Sequence, residues 1–216
     1  MRHILCSVVV LVASSSVLAQ TPPAAATLQL TFASNRVSAS GATGGGDVVM
    51  VSYGRSWRSF HNVLERRQMV ARADAAGNVS MEVPSGVPPM SLWIAVDVAS
   101  GSYGAGMADG SVPRQRAIDA GALKKDNNGQ LKKLIAGLPM AYAVLVRPGE
   151  SAWELFAGDG GAHDGDRTLD GRTEFSLDDF QAMAGEAAPP KNFRKGDLLI
   201  LISPEELAFS SIRLEK

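Results

Sequence analysis

Apolar residues alternate with polar ones along much of this chain, and a period of two is typical of β-strands. The clearest cases are four short segments, at residues 28–32, 48–51, 92–98 and 197–202. The first alternates strictly, whereas the other three are nearly continuous apolar runs of the kind found in strands that are buried on both faces. Clusters of Gly, Pro, Asn and Asp separate these segments, so short strands joined by turns are predicted.

Two pairs of segments are predicted to form β-hairpins. Residues 68–73 and 79–83 flank an Asp-Ala-Ala-Gly-Asn turn, and their alternation puts the apolar side chains on one face and the charged ones on the other. Residues 141–146 and 152–157 flank Arg147-Pro148-Gly149-Glu150. Proline presets φ at the first central position of that turn, and glycine accepts the positive φ of the second.

A third pair of segments leaves two interpretations open. Residues 120–125 and 130–135 flank Asp126-Asn127-Asn128-Gly129, and such a loop suits a hairpin because Asn and Gly tolerate positive φ. However, apolar residues recur at i, i+3, i+4 and i+7 from Leu131 to Leu138, which is the spacing of an amphipathic helix.

One segment, residues 177–184, is predicted to be a short helix. Ser176 can cap the N-terminus of this helix, and Leu177, Phe180 and Met183 would share its apolar face. Gly185 follows the segment and can end the helix.

Many short strands with almost no long helical pattern predict an all-β chain, built as an antiparallel β-sandwich. In the rhythm of its strands, the segment 28–110 resembles the immunoglobulin-like and fibronectin-like domains of secreted bacterial proteins. The resemblance implies a sandwich and no particular partner, and the paired cysteines of antibody domains are missing. Residues 111–216 are predicted to be a further β-rich half, which either forms a second domain or adds strands to the first.

The N-terminus is predicted to be a cleavable secretory signal that spans residues 1–19. It has a positive start at Arg2, an apolar run over residues 4–12 and small residues before Gln20. Residues 20–27 contain two prolines and are predicted to be a flexible lead-in. The apolar run is too short to cross about 30 Å of hydrocarbon. We therefore expect a bacterial protein that is secreted or periplasmic, with no transmembrane segment after signal cleavage.

Composition and charge exclude several kinds of function. Among 216 residues, 21 Lys+Arg balance 22 Asp+Glu, so the chain lacks the positive field on which nucleic-acid binding depends. The single cysteine, Cys6, lies in the predicted signal, which removes disulfides and thiol catalysis from the mature chain.

A stretch rich in Asp and Gly, at residues 159–179, is a candidate calcium site. Calcium takes six to eight oxygen ligands from carboxylates and carbonyls on a tightly turning backbone. The pattern Asp166-x-x-x-Asp170-Gly171 resembles the first half of an EF-hand or dockerin-type loop, although Leu177 stands where that loop has its last acidic ligand. The alternative is a solvated acidic turn. The ligands of the predicted calcium site, the only cofactor expected, are Asp164, Asp166, Thr168, Asp170 and Asp178.

A second candidate is a ligand-binding cluster in which aromatic residues alternate with arginines. Aromatic rings can stack on sugars or bases while guanidinium groups hold phosphates or hydroxyls. The alternative is that the rings fold a loop onto the end of the sandwich and the arginine stems cover apolar surface. The residues of this cluster are Arg55, Trp57, Arg58 and Phe60.

Common nucleophile motifs, such as Gly-x-Ser-x-Gly, Ser-x-x-Lys and His-Glu-x-x-His, are absent from the sequence. We therefore predict a secreted, non-catalytic β-sandwich protein with a binding or structural role at the cell envelope or outside the cell. Its expected partner is a surface protein or a polysaccharide. A calcium-stabilised accessory domain is a variant of this prediction. The alternative is a secreted hydrolase that uses carboxylates of the 159–179 stretch.

Overall fold

The chain is all-β in the part that the structure describes. The computed structural model describes residues 27–55, 64–115, 123–125, 131–136, 142–149, 153–158, 173–176, 180–183, 190–203 and 208–214. Within these ranges every regular element is a strand, and no helix occurs.

The described strands fall into an N-terminal and a C-terminal group. The N-terminal strands are β1 (Gln29–Ala33), β2 (Arg36–Ser40), β3 (Asp47–Arg55), β4 (Leu64–Arg72), β5 (Val79–Glu82), β6 (Leu92–Asp97) and β7 (Tyr103–Met107). The C-terminal strands are β8 (Arg114–Gln115), β9 (Leu123–Lys125), β10 (Leu131–Ala136), β11 (Tyr142–Pro148), β12 (Trp153–Gly158), β13 (Thr173–Ser176), β14 (Phe180–Ala182), β15 (Leu198–Ser203) and β16 (Ala208–Arg213).

These strands form four sheets. The first seven make a three-stranded antiparallel sheet in the order β1-β2-β5 and a four-stranded antiparallel sheet in the order β4-β3-β6-β7. The C-terminal strands make a six-stranded sheet, β14-β12-β11-β15-β16-β8, which is antiparallel except for the β16–β8 pair. They also make a three-stranded antiparallel sheet, β13-β10-β9.

The four-stranded sheet lies between two other sheets, and its inner strands β3 and β6 are covered on both faces. Strand β6 shows this directly, because all six of its residues are buried. Trp93 and Ala95 belong to an apolar cluster shared with the β1-β2-β5 sheet. Leu92, Ile94 and Val96 belong to a second cluster, shared with the six-stranded sheet. Strand β6 packs against apolar residues on both faces, which explains why its sequence is a nearly continuous apolar run.

The second cluster joins the two halves of the chain. It brings β3, β6 and β7 together with apolar residues of β11, β12, β15 and β16. Tyr103 of β7 adds a polar contact across the same boundary, since its hydroxyl lies 2.8 Å from the hydroxyl of Ser211 in β16. Burial raises the pKa of Tyr103, whereas this hydrogen bond and the nearby charge of Arg213 act in the opposite direction.

Two predicted hairpins are confirmed. Strands β11 and β12 pair in antiparallel fashion. The turn predicted at Pro148 and Gly149 is wrong, because Arg147 and Pro148 belong to β11, where Pro148 pairs with Trp153, and Gly149 does not have a positive φ. Strands β9 and β10 also pair in antiparallel fashion. The helical alternative is thus wrong for residues 131–136.

The hairpin predicted from residues 68–73 and 79–83 is wrong, although the faces of its strands were predicted correctly. Strand β4 pairs with β3, and β5 pairs with β2, so the turn between them crosses from one sheet to the other. That turn interlocks with the β2–β3 turn, because the Ala42 N–H donates to the Gly77 carbonyl and the Gly45 N–H to the Asp74 carbonyl. The side chains predicted to face inward do so, since Met81 is buried in the apolar cluster between the two sheets.

The short helix predicted over residues 177–184 is also wrong where the structure describes it. Residues 180–182 form β14, which pairs with the edge of β12. The Met183 N–H continues the ladder by donating to the Leu155 carbonyl at 2.8 Å. Phe180 is buried and packs edge-on against Phe193 at a centroid distance of 6.0 Å. Pairing with an open strand edge satisfies the backbone of this short segment, so tertiary packing outweighs its helical spacing.

Gly101 lies in the β6–β7 turn, at a point of close contact with the C-terminal half. Its φ is +68°, and a Cβ there would lie 2.4 Å from the ring of Trp153. Trp153 is held in place, because its backbone N–H donates to the Val98 carbonyl and the Arg213 guanidinium lies 5.3 Å from the centre of its ring.

We therefore expect Gly101→Ala to lower the free energy of unfolding by about 2–4 kcal/mol, as the sum of backbone strain and a clash in a packed contact. Gly110→Ala is the matched control, because Gly110 has a φ of +79° and a methyl group added there would have no neighbouring atom within 4 Å. The control should cost only the left-handed strain of about 1–2 kcal/mol. Urea denaturation measures both, and equal losses would contradict the contact with Trp153.

In the described ranges no helix is long and apolar enough to cross a membrane.

Candidate functional site

The residues predicted from sequence to bind ligands lie almost entirely outside the described part of the chain. Arg55 is the last residue of β3, and Trp57, Arg58 and Phe60 fall outside the described ranges. The same holds for all five residues of the predicted calcium site: Asp164, Asp166, Thr168, Asp170 and Asp178. Among the residues that are described, no three His, Cys, Asp or Glu side chains come together as metal ligands would.

A melting experiment tests the calcium prediction independently of these ranges. A site with a Kd of about 10⁻⁴ M should stabilise the chain by roughly 1.4 kcal/mol at about 1 mM calcium, and magnesium should do less. Asp170→Asn should reduce this response. Identical melting in calcium and in chelator would contradict the site.

The structure brings other polar residues together, in an open groove on the outer face of the β1-β2-β5 sheet. The inner face of this sheet carries Val37, Ala39, Val79 and Met81, which are buried against the four-stranded sheet. The pleat therefore turns the intervening residues outward. The groove has a volume of about 570 Å³. Its outward side chains with neutral hydroxyl or amide groups define what we call the hydroxyl groove: Thr31, Ser38, Ser40, Asn78 and Ser80.

The register of the three strands aligns these groups into rows. Thr31 pairs with Ser38, and Ser38 pairs with Ser80, so one row crosses all three strands. The hydroxyls of Ser38 and Ser80 lie 3.0 Å apart. Ser40 belongs to the next row, opposite Gln29 of β1. Adjacent groups in a row are about 4.8 Å apart, and successive rows are about 6.7 Å apart.

The β4–β5 turn forms one end of the groove through Arg72 and Asp74. Arg72 donates from Nε to the Gly45 carbonyl at 2.7 Å. The Asp74 carboxylate accepts hydrogen bonds from the backbone N–H groups of Ala76 and Asn78, at 2.9 and 2.8 Å. Hydrogen bonds from Asn78 are the main reason why the pKa of Asp74 lies below its usual value. The polar groups of this end therefore hold the turn together.

The buried charged residues of the described part serve the fold. Arg147 in β11 is 3% exposed and Asp197, just before β15, is 0% exposed. The guanidinium donates to both carboxylate oxygens, at 2.9 and 2.6 Å, and also to the Asn192 carbonyl at 2.5 Å. The Arg194 N–H donates to the same carboxylate at 2.7 Å. This network fixes the loop before β15 onto the end of β11.

Asp97, the last residue of β6, is a second buried carboxylate with a structural role. It accepts hydrogen bonds from the N–H and the hydroxyl of Thr43, at 2.9 and 2.7 Å. It also accepts from the Ser100 hydroxyl at 2.7 Å and the Ala99 N–H at 3.0 Å. Burial acts to raise the pKa of Asp97, but these four hydrogen bonds outweigh it and hold the pKa below the usual 3.8.

This lowered pKa predicts a loss of stability in acid. Because the folded pKa lies below the unfolded value of about 3.9, the stabilisation is complete above that value and is lost as the pH falls through the folded pKa. Asp97→Asn should therefore destabilise the chain near neutral pH and flatten the decline of the unfolding free energy below about pH 4. Asp109→Asn is the control, since Asp109 has a lowered pKa but lies exposed in a turn, where water screens it. Urea titrations from about pH 2 to 7 give the slope of the unfolding free energy against pH for each variant. A slope in Asp97→Asn that equals that of the wild type would contradict the prediction.

Sequence reasoning missed both the hydroxyl groove and the Arg147–Asp197 pair. The pair has a visible signal, since Arg147 ends the apolar run that begins at Tyr142 and Asp197 precedes the apolar residues of β15. The signal of the groove is weak and consists of three serines at alternate positions, Ser38 and Ser40 in β2 and Ser80 in β5.

No family model, curated protein or solved structure matches this chain.

Proposed function

We propose that the chain is an extracytoplasmic, non-catalytic protein that binds a surface partner or serves as a structural component of the cell envelope. The observation that carries this proposal is the hydroxyl groove, an open cavity of about 570 Å³ on a sheet face. Neutral hydroxyl and amide groups line its centre, and such groups suit binding by hydrogen bonds better than proton transfer at neutral pH.

The use of the buried charged residues also supports a non-catalytic role. Both Asp97 and Asp197 have their carboxylates occupied by hydrogen-bond donors from neighbouring loops. Carboxylates that act in catalysis commonly have raised pKa values in clefts, whereas hydrogen bonds lower that of Asp97.

We further propose that the first seven strands form an immunoglobulin-like sandwich. In domains of that kind, strands A, B and E share one sheet and strands C, F and G share the other. The division of β1, β2 and β5 from β3, β6 and β7 follows this pattern, with the fourth strand in the second sheet. The six-stranded sheet then covers the outer face of the four-stranded one, and the shared apolar cluster supports one folding unit.

This packing bears on which surface can bind. Either outer face of a two-sheet sandwich is a possible binding surface. Here the outer face of the four-stranded sheet is buried against β11, β12, β15 and β16. The outer face of the β1-β2-β5 sheet, with the hydroxyl groove, is therefore the exposed sheet face of the first seven strands.

A screen of the purified mature protein tests the proposed function. We expect saturable binding to a glycan or a surface protein, without turnover of chromogenic ester, glycoside or peptide substrates. Turnover that Asp166→Asn abolishes would overturn the proposal in favour of the hydrolase. The intact mass of the exported protein tests its localisation, since removal of residues 1–19 is expected.

A further inference from the structure

We infer that the hydroxyl groove binds a neutral oligosaccharide. This inference rests on the proposed function, because it names the class of partner. Four hydroxyls and one amide, contributed by β1, β2, β5 and the turn before β5, lie in one cavity of about 570 Å³. That volume lies within the range of about 300–1,000 Å³ that is usual for small-ligand sites.

The chemistry of the lining favours a polyol over a charged ligand. A hydroxyl group is both donor and acceptor, and the Asn78 amide adds a carbonyl acceptor, while its NH2 group contacts Asp74. Sugar hydroxyls have the same dual character as the hydroxyls of the groove, so each hydroxyl contact can form in either direction. The Asp74 carboxylate is already held by three donor groups, on Ala76 and Asn78, and Arg72 Nε by the Gly45 carbonyl. The centre of the groove, at Ser38 and Ser80, carries no charge.

The geometry of the lining also fits a chain of sugar rings. The row Thr31, Ser38 and Ser80 runs across the strands, with neighbours about 4.8 Å apart. The row that contains Ser40 lies parallel to it, about 6.7 Å away along the strand. Two parallel rows of hydrogen-bonding groups at these spacings can contact the hydroxyls on opposite edges of a pyranose ring. Among the described strands, β1 and β5 are the outer strands of this sheet, so the rows end at its two edges, where a saccharide can extend beyond the groove.

The side chains around the groove are longer than those within it. One step further along the strands, Arg36 pairs with Glu82 on the same outer face, and both are exposed. Charged residues make up about 25–35% of the surface of a typical soluble domain. Between this pair and the β4–β5 turn, however, Ser and Thr replace them. The short side chains create the depression and leave the backbone of β2 accessible from above.

Isothermal titration calorimetry with neutral and charged oligosaccharides tests the inference. The neutral probes are maltotetraose, cellotetraose and chitotetraose, and the charged probe is tetragalacturonate. We expect at least one neutral probe to bind with a Kd below about 10 mM and the charged probe to bind more weakly. Absence of binding by all neutral probes, or tighter binding of the charged probe, would overturn the inference.

Variants assign the binding to the groove. Ser38→Ala with Ser80→Ala removes two hydroxyls from the central row and should weaken binding at least tenfold, because each lost hydrogen bond costs about fivefold. Ser40→Arg fills the groove and should abolish binding. Glu82→Gln is the control, since it lies on the same face outside the groove and should bind as the wild type does.

Two readouts separate this inference from the proposed function. All substituted side chains are at least partly exposed, so thermal melting should remain close to that of the wild type and a loss of binding can be assigned to the groove. If a neutral probe binds equally to the wild type, the double variant and Ser40→Arg, the inference fails, while saturable binding without turnover still supports the proposed function. If the protein hydrolyses the probe that it binds, the proposed non-catalytic function is overturned, whatever the variants show.

Discussion

Replacing Arg147 with methionine should lower the free energy of unfolding by about 3–5 kcal/mol, because it leaves a carboxylate buried without its counter-ion. The Asp197 side chain is 0% exposed, so water cannot take the place of the guanidinium. After the substitution the carboxylate keeps the Arg194 N–H as a donor but loses both charge-assisted hydrogen bonds, at 2.9 and 2.6 Å. The Asn192 carbonyl also loses its donor.

A double variant separates the cost of an unpaired charge from the value of the pair. Arg147→Met combined with Asp197→Leu removes both charges, and we expect it to recover most of the loss. Recovery should fall short by about 1–3 kcal/mol, because the Arg194 N–H and the Asn192 carbonyl remain without their partners. Arg194→Ala is a surface control and should cost about 0.5 kcal/mol or less. Urea denaturation measures all three, and a loss below about 1 kcal/mol in Arg147→Met would indicate a solvated pair.

The faces of the strands could be predicted from the sequence, but their partners could not. The alternation in residues 68–73 and 79–83 correctly identified the inward side chains, since Met81 and Ala73 are buried in one cluster. The same alternation is compatible with two strands of one hairpin and with two strands in facing sheets. The choice depends on the contact between two turns that are distant in sequence, at Ala42 and Gly77. The sequence pattern within either segment does not predict that contact.

The prediction at residues 177–184 failed for a related physical reason. Spacing of three between Phe180 and Met183 fits a helix, but a segment this short gains little from helix formation by itself. Strand β12 offers an open edge, and Gly158 leaves room for the Phe180 ring, which would lie 3.1 Å from a Cβ at that position. The partner strand that determines the structure lies 22 to 26 residues earlier in the chain, outside any local window.

The candidate sites were also difficult to predict, because they depend on contacts between residues that are distant in sequence. Sequence reasoning selected carboxylate-rich and arginine-rich stretches, because charged and aromatic residues are conspicuous and lie close together in the chain. The hydroxyl groove is composed of common residues from positions as distant as Thr31 and Ser80. Only the antiparallel register of β1, β2 and β5 brings them into line. A site that depends on sheet register is invisible until the pairing of the strands is known.

Ile94→Asp should have the largest effect of any substitution considered, because it puts a charge between two sheets. Ile94 is 0% exposed and packs in the cluster that joins β3, β6 and β7 to the six-stranded sheet. The loss of buried apolar surface costs about 1.5–3 kcal/mol, and an unpaired carboxylate in that position adds several more. Since domains of this size are stable by about 5–15 kcal/mol, we expect most of the chain to be unfolded at about 37 °C.

Two further variants make the result specific to this contact between the halves of the chain. Ile94→Val keeps the site apolar and should cost about 0.5–1.5 kcal/mol. Val70→Asp introduces the same charge on the same sheet, but Val70 is 50% exposed in the edge strand β4, so we expect a loss of about 1 kcal/mol or less. Circular dichroism and urea denaturation distinguish the three. If Ile94→Asp unfolds cooperatively within about 1 kcal/mol of the wild type, Ile94 is accessible to water and the six-stranded sheet does not cover the first seven strands.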